Sequence, residues 1–376
     1  LIGTKLPDLI LTPIGKAVVL TVAVILFAVG LVGAINLEVE FNLDWFSPDD
    51  NKINDVFDVR DTYFTQKQLV FFFTGNFNYH AEDAAIAASL ASFTNCDGHI
   101  ISNTVSSWYT AYKEYEATGA PVTSDTEFYT RLEEFLALPT SSGFAPNVAW
   151  VDPADVTQGI LGTRTQAELI WPEKALDQVD TMDELRACVD DFESVEPRVY
   201  TFLFLFTEGN AVIQEQSLQS IASAAFAVLV ICVIVLADVY ASFIVFLMIV
   251  LIDVDLLGFF HFAGYHYNSV SAVNLVLSIG LSVDYNLHIC HSFMTGTGDR
   301  NARARGALHH IGRSVFHGGL TTFLVVIPLT GSASYVFEVF FICFFLTVVF
   351  GLFHGLFVLP VVLSLIGPSG YSKRPD

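Results

Sequence analysis

The chain has 376 residues, 53% of them hydrophobic and only 15% charged, with 34 Phe. That composition excludes an ordinary soluble domain and places the chain among membrane proteins. Its net charge of −22 is concentrated: residues 37–212 hold 30 Asp and Glu against 9 Lys and Arg, and everything else holds 9 acids and 8 bases. One acidic block therefore sits inside an apolar protein, and its charge excludes a nucleic-acid partner.

In chain order, residues 1–36 read as a cytosolic flank followed by a first span, because Ala17–Ile35 is an uncharged run of 19 residues and crossing a bilayer core takes about 20. The run is too long for a secretory signal, and no small-residue cleavage site follows it. Residues 37–212 read as an acidic α+β domain. Strand-length aromatic and β-branched runs occur at Gln68–Thr74 and Val199–Thr207, and helical spacing at Ala81–Phe93, Glu127–Leu138 and Asp180–Phe192. Ala117–Ser124 and Pro139–Pro146 read as loops.

Residues 213–366 read as five further spans: Leu218–Ala237, Val239–Ala263, Ser269–Phe293, Ser314–Ala333 and Val336–Ile366. Residues 367–376 form a tail. With six spans, Lys5, Lys16, Arg300, Arg303, Arg305, Arg313, Lys373 and Arg374 all fall on one side. The positive-inside rule makes that side cytosolic and the acidic domain luminal or extracellular. Cys96 and Cys188 are the two cysteines of that domain. A disulfide between them is permitted on that side of the membrane, with free thiols as the alternative.

The fourth span carries the residues that most need a reason. Gly280, Asp284, His288 and His291 fall within about 60° of one another around a helix, forming one polar stripe. A carboxylate in a bilayer faces protein or water, and beside two imidazoles it has the means to carry protons. Interhelical hydrogen bonding is the alternative role for the same groups. Asp253 and Asp255 in the third span lie on different helix faces, and one of them is expected to face the same cavity as Asp284. His317 and His354 read as packed polar residues. No metal-ligand cluster, nucleophile elbow or phosphate-binding loop appears, so no cofactor and no enzymatic activity are expected.

These residues also carry a resemblance. Ser271-Ala272-Val273-Asn274-Leu275 leading to Gly280-Leu281-Ser282-Val283-Asp284-Tyr285 resembles the corresponding helix of the Niemann-Pick C and Patched family. So do Ala307-Leu308 with Ser314-Val315-Phe316-His317-Gly318, and His354-Gly355-Leu356 with Leu359-Pro360-Val361 and Leu363-Ser364. The family belongs to the resistance-nodulation-division permease superfamily, built from two repeats of one span, a large luminal or extracellular domain and five spans. The resemblance implies a polytopic six-helix fold with an inserted ferredoxin-like domain, and a C-terminal repeat whose N-terminal half is a missing partner.

It further implies a sterol or other lipid as cargo, coupled to a proton or cation gradient at Asp284; the polar stripe read above adds His288 to that relay, and the third span adds Asp255. Gly280, Asn274 and His354 are its motif and packing positions. A Patched-like lipid-responsive receptor, an exporter of other hydrophobic molecules and a scaffold are the alternatives. An endolysosomal lumen and the cell surface suit the acidic domain equally.

Overall fold

The structure, a computed structural model, describes residues 5–40, 45, 47–48, 51–63, 67–74, 77–96, 98–190, 192, 194–332 and 334–371. Ala333, Lys373 and Arg374 lie outside the described residues. Two units result, residues 1–55 with 212–376, and residues 56–211.

The first unit opens with α1 (Lys5–Ile10) and α2 (Pro13–Ile35). Thr12 caps α2 by accepting from the Gly15 amide, and Pro13 occupies a position where its missing N–H costs nothing. Being apolar all round, α2 buries only Val19, Ala23, Gly30 and Gly33 and leaves its other faces for lipid.

The second unit contains α3 (Lys52–Tyr63, whose first turn belongs to the first unit), β1 (Lys67–Thr74), α4 (Asp83–Thr94), α5 (Trp108–Glu116), α6 (Asp125–Ala137), β2 (Val148–Trp150), β3 (Ile160–Leu169), α7 (Ala175–Ala187) and β4 (Arg198–Tyr200). β1 and β3 form the central antiparallel pair, from Lys67 opposite Leu169 to Thr74 opposite Gly162. The sheet order is β2-β3-β1-β4 with antiparallel neighbours throughout. A β-α-β-β-α-β chain in that order is ferredoxin-like, with α5 and α6 inserted between α4 and β2. Period-two alternation sends Leu69, Phe71 and Phe73 into a core shared with Trp108, Tyr112, Phe128 and Leu132. Cys96, just past α4, is disulfide-bonded to Cys188, the C-cap of α7.

Two expectations are corrected here. The run Val199–Thr207 is not one strand: only Arg198–Tyr200 pairs with β1, and a helix begins at Phe204. Burial at Thr201, Phe204, Thr207, Asn210 and Ile213 recurs every three residues, a helical rather than a strand period. The helix expected over Asp180–Phe192 spans Ala175–Ala187 instead, starting soon after Pro172 and ending at the disulfide.

The first unit resumes at Val212 within α8 (Phe204–Leu236), followed by α9 (Val239–Phe262), α10 (Ser269–Thr295), α11 (Arg300–His310), α12 (Gly312–Val326), α13 (Tyr335–Phe353) and α14 (Leu359–Ile366). A single π turn, His354–Val358, joins α13 to α14. Among the described residues, six helical segments are long and apolar enough to cross a membrane: Pro13–Ile35, Glu215–Leu236, Val239–Phe262, Ser269–Thr295, Gly312–Gly331 and Tyr335–Ile366. Asp238, between two spans, caps α9 by accepting from the Ala241 amide at 2.6 Å.

α2 and α9 cross in backbone contact. A Cβ on Gly258 would collide with the Gly30 carbonyl, and one on Gly33 with the Gly258 carbonyl. Small residues let two backbones meet where no hydrophobic effect drives helices together. The same approach sets Gly30 directly against Asp255, since a Cβ there would lie 2.9 Å from the Asp255 Oδ1.

Candidate functional site

The register of α10 is fixed at its start by a capping box. Asn268 Oδ1 accepts from the Ser271 amide, and Ser271 Oγ accepts from the Asn268 amide. From there the helix presents two polar faces. Asn274, Ser278, Ser282 and Asn286, each four residues on from the last, are buried within the membrane unit. Gly280, Asp284, His288 and His291 are exposed on the other side. Positions 282 and 284 are about 200° apart around the helix, so the two faces are nearly opposed.

The outward face borders a groove between α10 and α12. It has a volume of about 460 Å³ and is lined by Asp284, Tyr285 and His288 on one wall and Ser314, Gly318, Thr321 and Thr322 on the other, with Leu281, Ile311 and Val315 as apolar flanks. Gly318 leaves it open, because a Cβ there would meet nothing within 4 Å. Tyr285 is buried against Gly351 and Gly355, whose missing side chains make room for it.

His288 also lines a second cavity of about 540 Å³, with His291, Ser292, Thr295, Arg303 and His310. A carboxylate and three imidazoles thus border two cavities that share His288. Carboxylate and imidazole together can bind and pass a proton or hold a small cation. Among the described residues no group of three or more His, Cys, Asp or Glu is placed to hold a metal ion.

Arg303 lines this second cavity, and other basic residues on or near α11 tie neighbouring segments to that helix. Lys16 Nζ donates to Asn301 Oδ1 at 2.7 Å, and Arg305 pairs with Asp8. Arg300 donates to the carbonyls of Gly367 and Leu365 at 2.8 and 3.1 Å. Arg303, buried, donates to the Pro368 carbonyl at 2.5 Å and stacks 4.1 Å over Phe293. Burial holds its guanidinium below the ordinary arginine range, with Arg300 adding to the effect. The N-terminal flank, α11 and the segment after α14 therefore lie at one end of the unit.

Asp255 does not line the Asp284 groove. α9 turns it inward at 0% exposure, beside Gly30, and His354 Nε2 stands 3.6 Å from its Oδ2. Asp253, on another face of α9, accepts from Ser278 Oγ at 3.3 Å. The expected three-residue relay is therefore divided: Asp284 and His288 share the groove, while Asp255 belongs with His354 in the interior. The reason is the helix period, since α9 packs its Asp255 and Gly258 side against α2. Asn274, expected as a packing residue, is buried and donates to the Val270 carbonyl at 2.9 Å.

Sequence reasoning missed the buried ladder Asn274, Ser278, Ser282, Asn286. Its signal was four small polar residues at strict four-residue spacing in an apolar helix. It also took the arginines as topology markers only, without the carbonyls they hold.

No protein-family profile matches the chain. Individual relatives do. A Niemann-Pick type C1-related protein of Toxoplasma gondii is 36% identical over 171 residues, 45% of this chain and 14% of that protein. The NPC intracellular cholesterol transporter 1 of Sus scrofa is 32% identical over 209 residues, 52% of this chain and 16% of the relative. Protein patched homolog 3 of Caenorhabditis elegans is 31% identical over 193 residues, 50% of this chain and 14% of the relative. The cryo-EM structure of the hedgehog release protein Disp from the water bear Hypsibius dujardini superposes with a TM-score of 0.70 at 14% identity. It covers 94% of this chain and 48% of its own, and shows a shared fold. The matched stretch is thus a small part of each sequence relative, and the chain spans about half of the structural one.

Proposed function

The chain belongs to the Niemann-Pick C and Patched family, and on that premise we propose that it is a six-span unit of a transporter for a sterol or similar lipid, driven by proton or cation exchange at Asp284 and His288. The observation that carries the reading is the groove between α10 and α12. It joins a carboxylate and an imidazole to apolar flanks in about 460 Å³, within the range of roughly 300–1,000 Å³ that holds small organic ligands. The pig relative bears the name of a cholesterol transporter, which favours a sterol as cargo.

The groove lies on an outward face, where Gly280, Asp284, His288 and His291 are exposed. A charged stripe does not face hydrocarbon, so a second six-span unit covers it in the working protein. The match to 48% of the Disp chain supports this reading. The charge distribution favours a luminal or extracellular side for the acidic unit and a cytosolic side for the basic residues of α11. The similarity to Patched proteins favours a second reading, a lipid-responsive receptor using the same groove.

A photoactivatable sterol incorporated into liposomes with the purified protein tests the cargo assignment. Labelling is expected at α10 and α12, competed by unlabelled sterol and blocked by Gly318→Trp, which fills the open wall. Labelling that ignores both the competitor and Gly318→Trp removes the sterol assignment.

A further inference from the structure

The geometry points to Asp255 and His354 as a proton-binding site in the interior of the membrane unit, separate from the Asp284 groove. The two side chains come from α9 and from the π turn between α13 and α14, and are 0% and 1% exposed. His354 Nδ1 lies 3.0 Å from the Phe350 carbonyl, which can only accept, so Nδ1 carries a hydrogen and Nε2 is the free ring position. Nε2 points at Asp255 Oδ2 across 3.6 Å. Neither Asp255 oxygen accepts a hydrogen bond. A buried carboxylate without donors is costly, and so is a buried imidazolium without an acceptor. One proton held between Oδ2 and Nε2 leaves the pair neutral whichever atom carries it.

The surroundings supply no other compensation. From α2 the neighbour is Gly30. α10 turns Asn274, Ser278, Ser282, Asn286, Tyr285 and Cys290 inward, and α13 turns Cys343 and Thr347 inward. α8 contributes the apolar Ile221. The one other carboxylate on α9, Asp253, is engaged by Ser278. Asp284 and His288 face the other side of α10. Removing the proton therefore requires water or a cation to enter beside Asp255. On the α2 side Gly30 covers Asp255, and the Gly30 backbone itself meets Gly258. π turns recur at functional positions in membrane and soluble helices alike, and this one places His354. The inference does not depend on which cargo the groove carries.

The test is an infrared pH titration of the purified protein in lipid nanodiscs, following the carboxyl stretch, with Asp255→Asn, His354→Gln and the double variant. Asp253→Asn and Asp284→Asn serve as controls. A carboxyl band is expected that vanishes in Asp255→Asn, survives both controls, and in His354→Gln titrates with a midpoint displaced by about one pH unit or more, as for strongly interacting groups. A band whose titration ignores His354, or no band assigned to Asp255, overturns the proposal. Should Asp255→Asn fail to fold, ¹⁵N-histidine spectra of the unaltered protein decide the matter, with the His354 signal assigned by its loss in His354→Gln. A His354 ring that titrates as a solvent-exposed imidazole overturns the proposal, and one that titrates together with the carboxyl band supports it.

Discussion

Gly258 of α9 and Gly30 of α2 are in backbone contact: a Cβ on Gly258 has no space because the Gly30 carbonyl occupies it. In lipid such crossings are held by close packing rather than by exclusion of water. Gly258→Ala is therefore expected to force the two helices apart and lower the thermal stability of the protein in detergent, by roughly 1–3 kcal/mol as for other overpacked sites. Gly280→Ala and Gly318→Ala, whose added methyl groups meet nothing within 4 Å, are expected not to lower it. A melt of Gly258→Ala indistinguishable from the parent would show that the crossing is not close-packed.

The Cys96–Cys188 disulfide spans 92 residues of the ferredoxin-like unit. Closing a loop of that size restricts the unfolded chain, and removing such a bond costs about 2–5 kcal/mol. Cys188→Ser is expected to move the denaturant midpoint of the soluble unit down, read through the fluorescence of buried Trp108. Reductant is expected to reproduce the shift in the parent protein and leave the variant unmoved.

Acid should act on the first turn of α6. His80 Nδ1, 3.0 Å from Asp125 Oδ1, and the Asn78 amide hold the Asp125 carboxyl below the usual carboxylate range. The Thr123 amide and hydroxyl do the same for Glu127. A depressed folded value means the stabilisation is complete above the unfolded carboxylate value and disappears as pH falls through the folded one. The window is therefore about pH 4 and below. Combined Asp125→Asn and Glu127→Gln should flatten the loss of stability across that window and leave the pH 5–7 region parallel to the parent. An unchanged acid profile, measured by circular dichroism, would assign acid sensitivity elsewhere.

Much of this protein is legible in its sequence, for identifiable reasons. A span needs about 20 apolar residues, so the six apolar runs mark the six helical segments found among the described residues. The outward stripe on α10 is visible because Asp284 and His288 are four residues apart. β3 escaped notice because Thr163, Thr165 and Ala167 fill its buried positions, where a strand is usually announced by large apolar side chains. The run after Val199 is both strand-like in composition and helical in period, and only pairing with β1 decides where one gives way to the other. The partner of Asp255 was not legible at all, since it comes from a π turn distant in sequence. A stripe found on one helix says nothing about which residues of its neighbours share the cavity.

The measurement that bears most directly on the central claim is transfer of labelled sterol between liposomes by the reconstituted protein, with and without an imposed proton gradient. The gradient is expected to accelerate transfer and Asp284→Asn to abolish the acceleration, with a smaller loss in His288→Gln and none in Asp253→Asn. Transfer by Asp284→Asn that responds to the gradient as the parent does would contradict the claim.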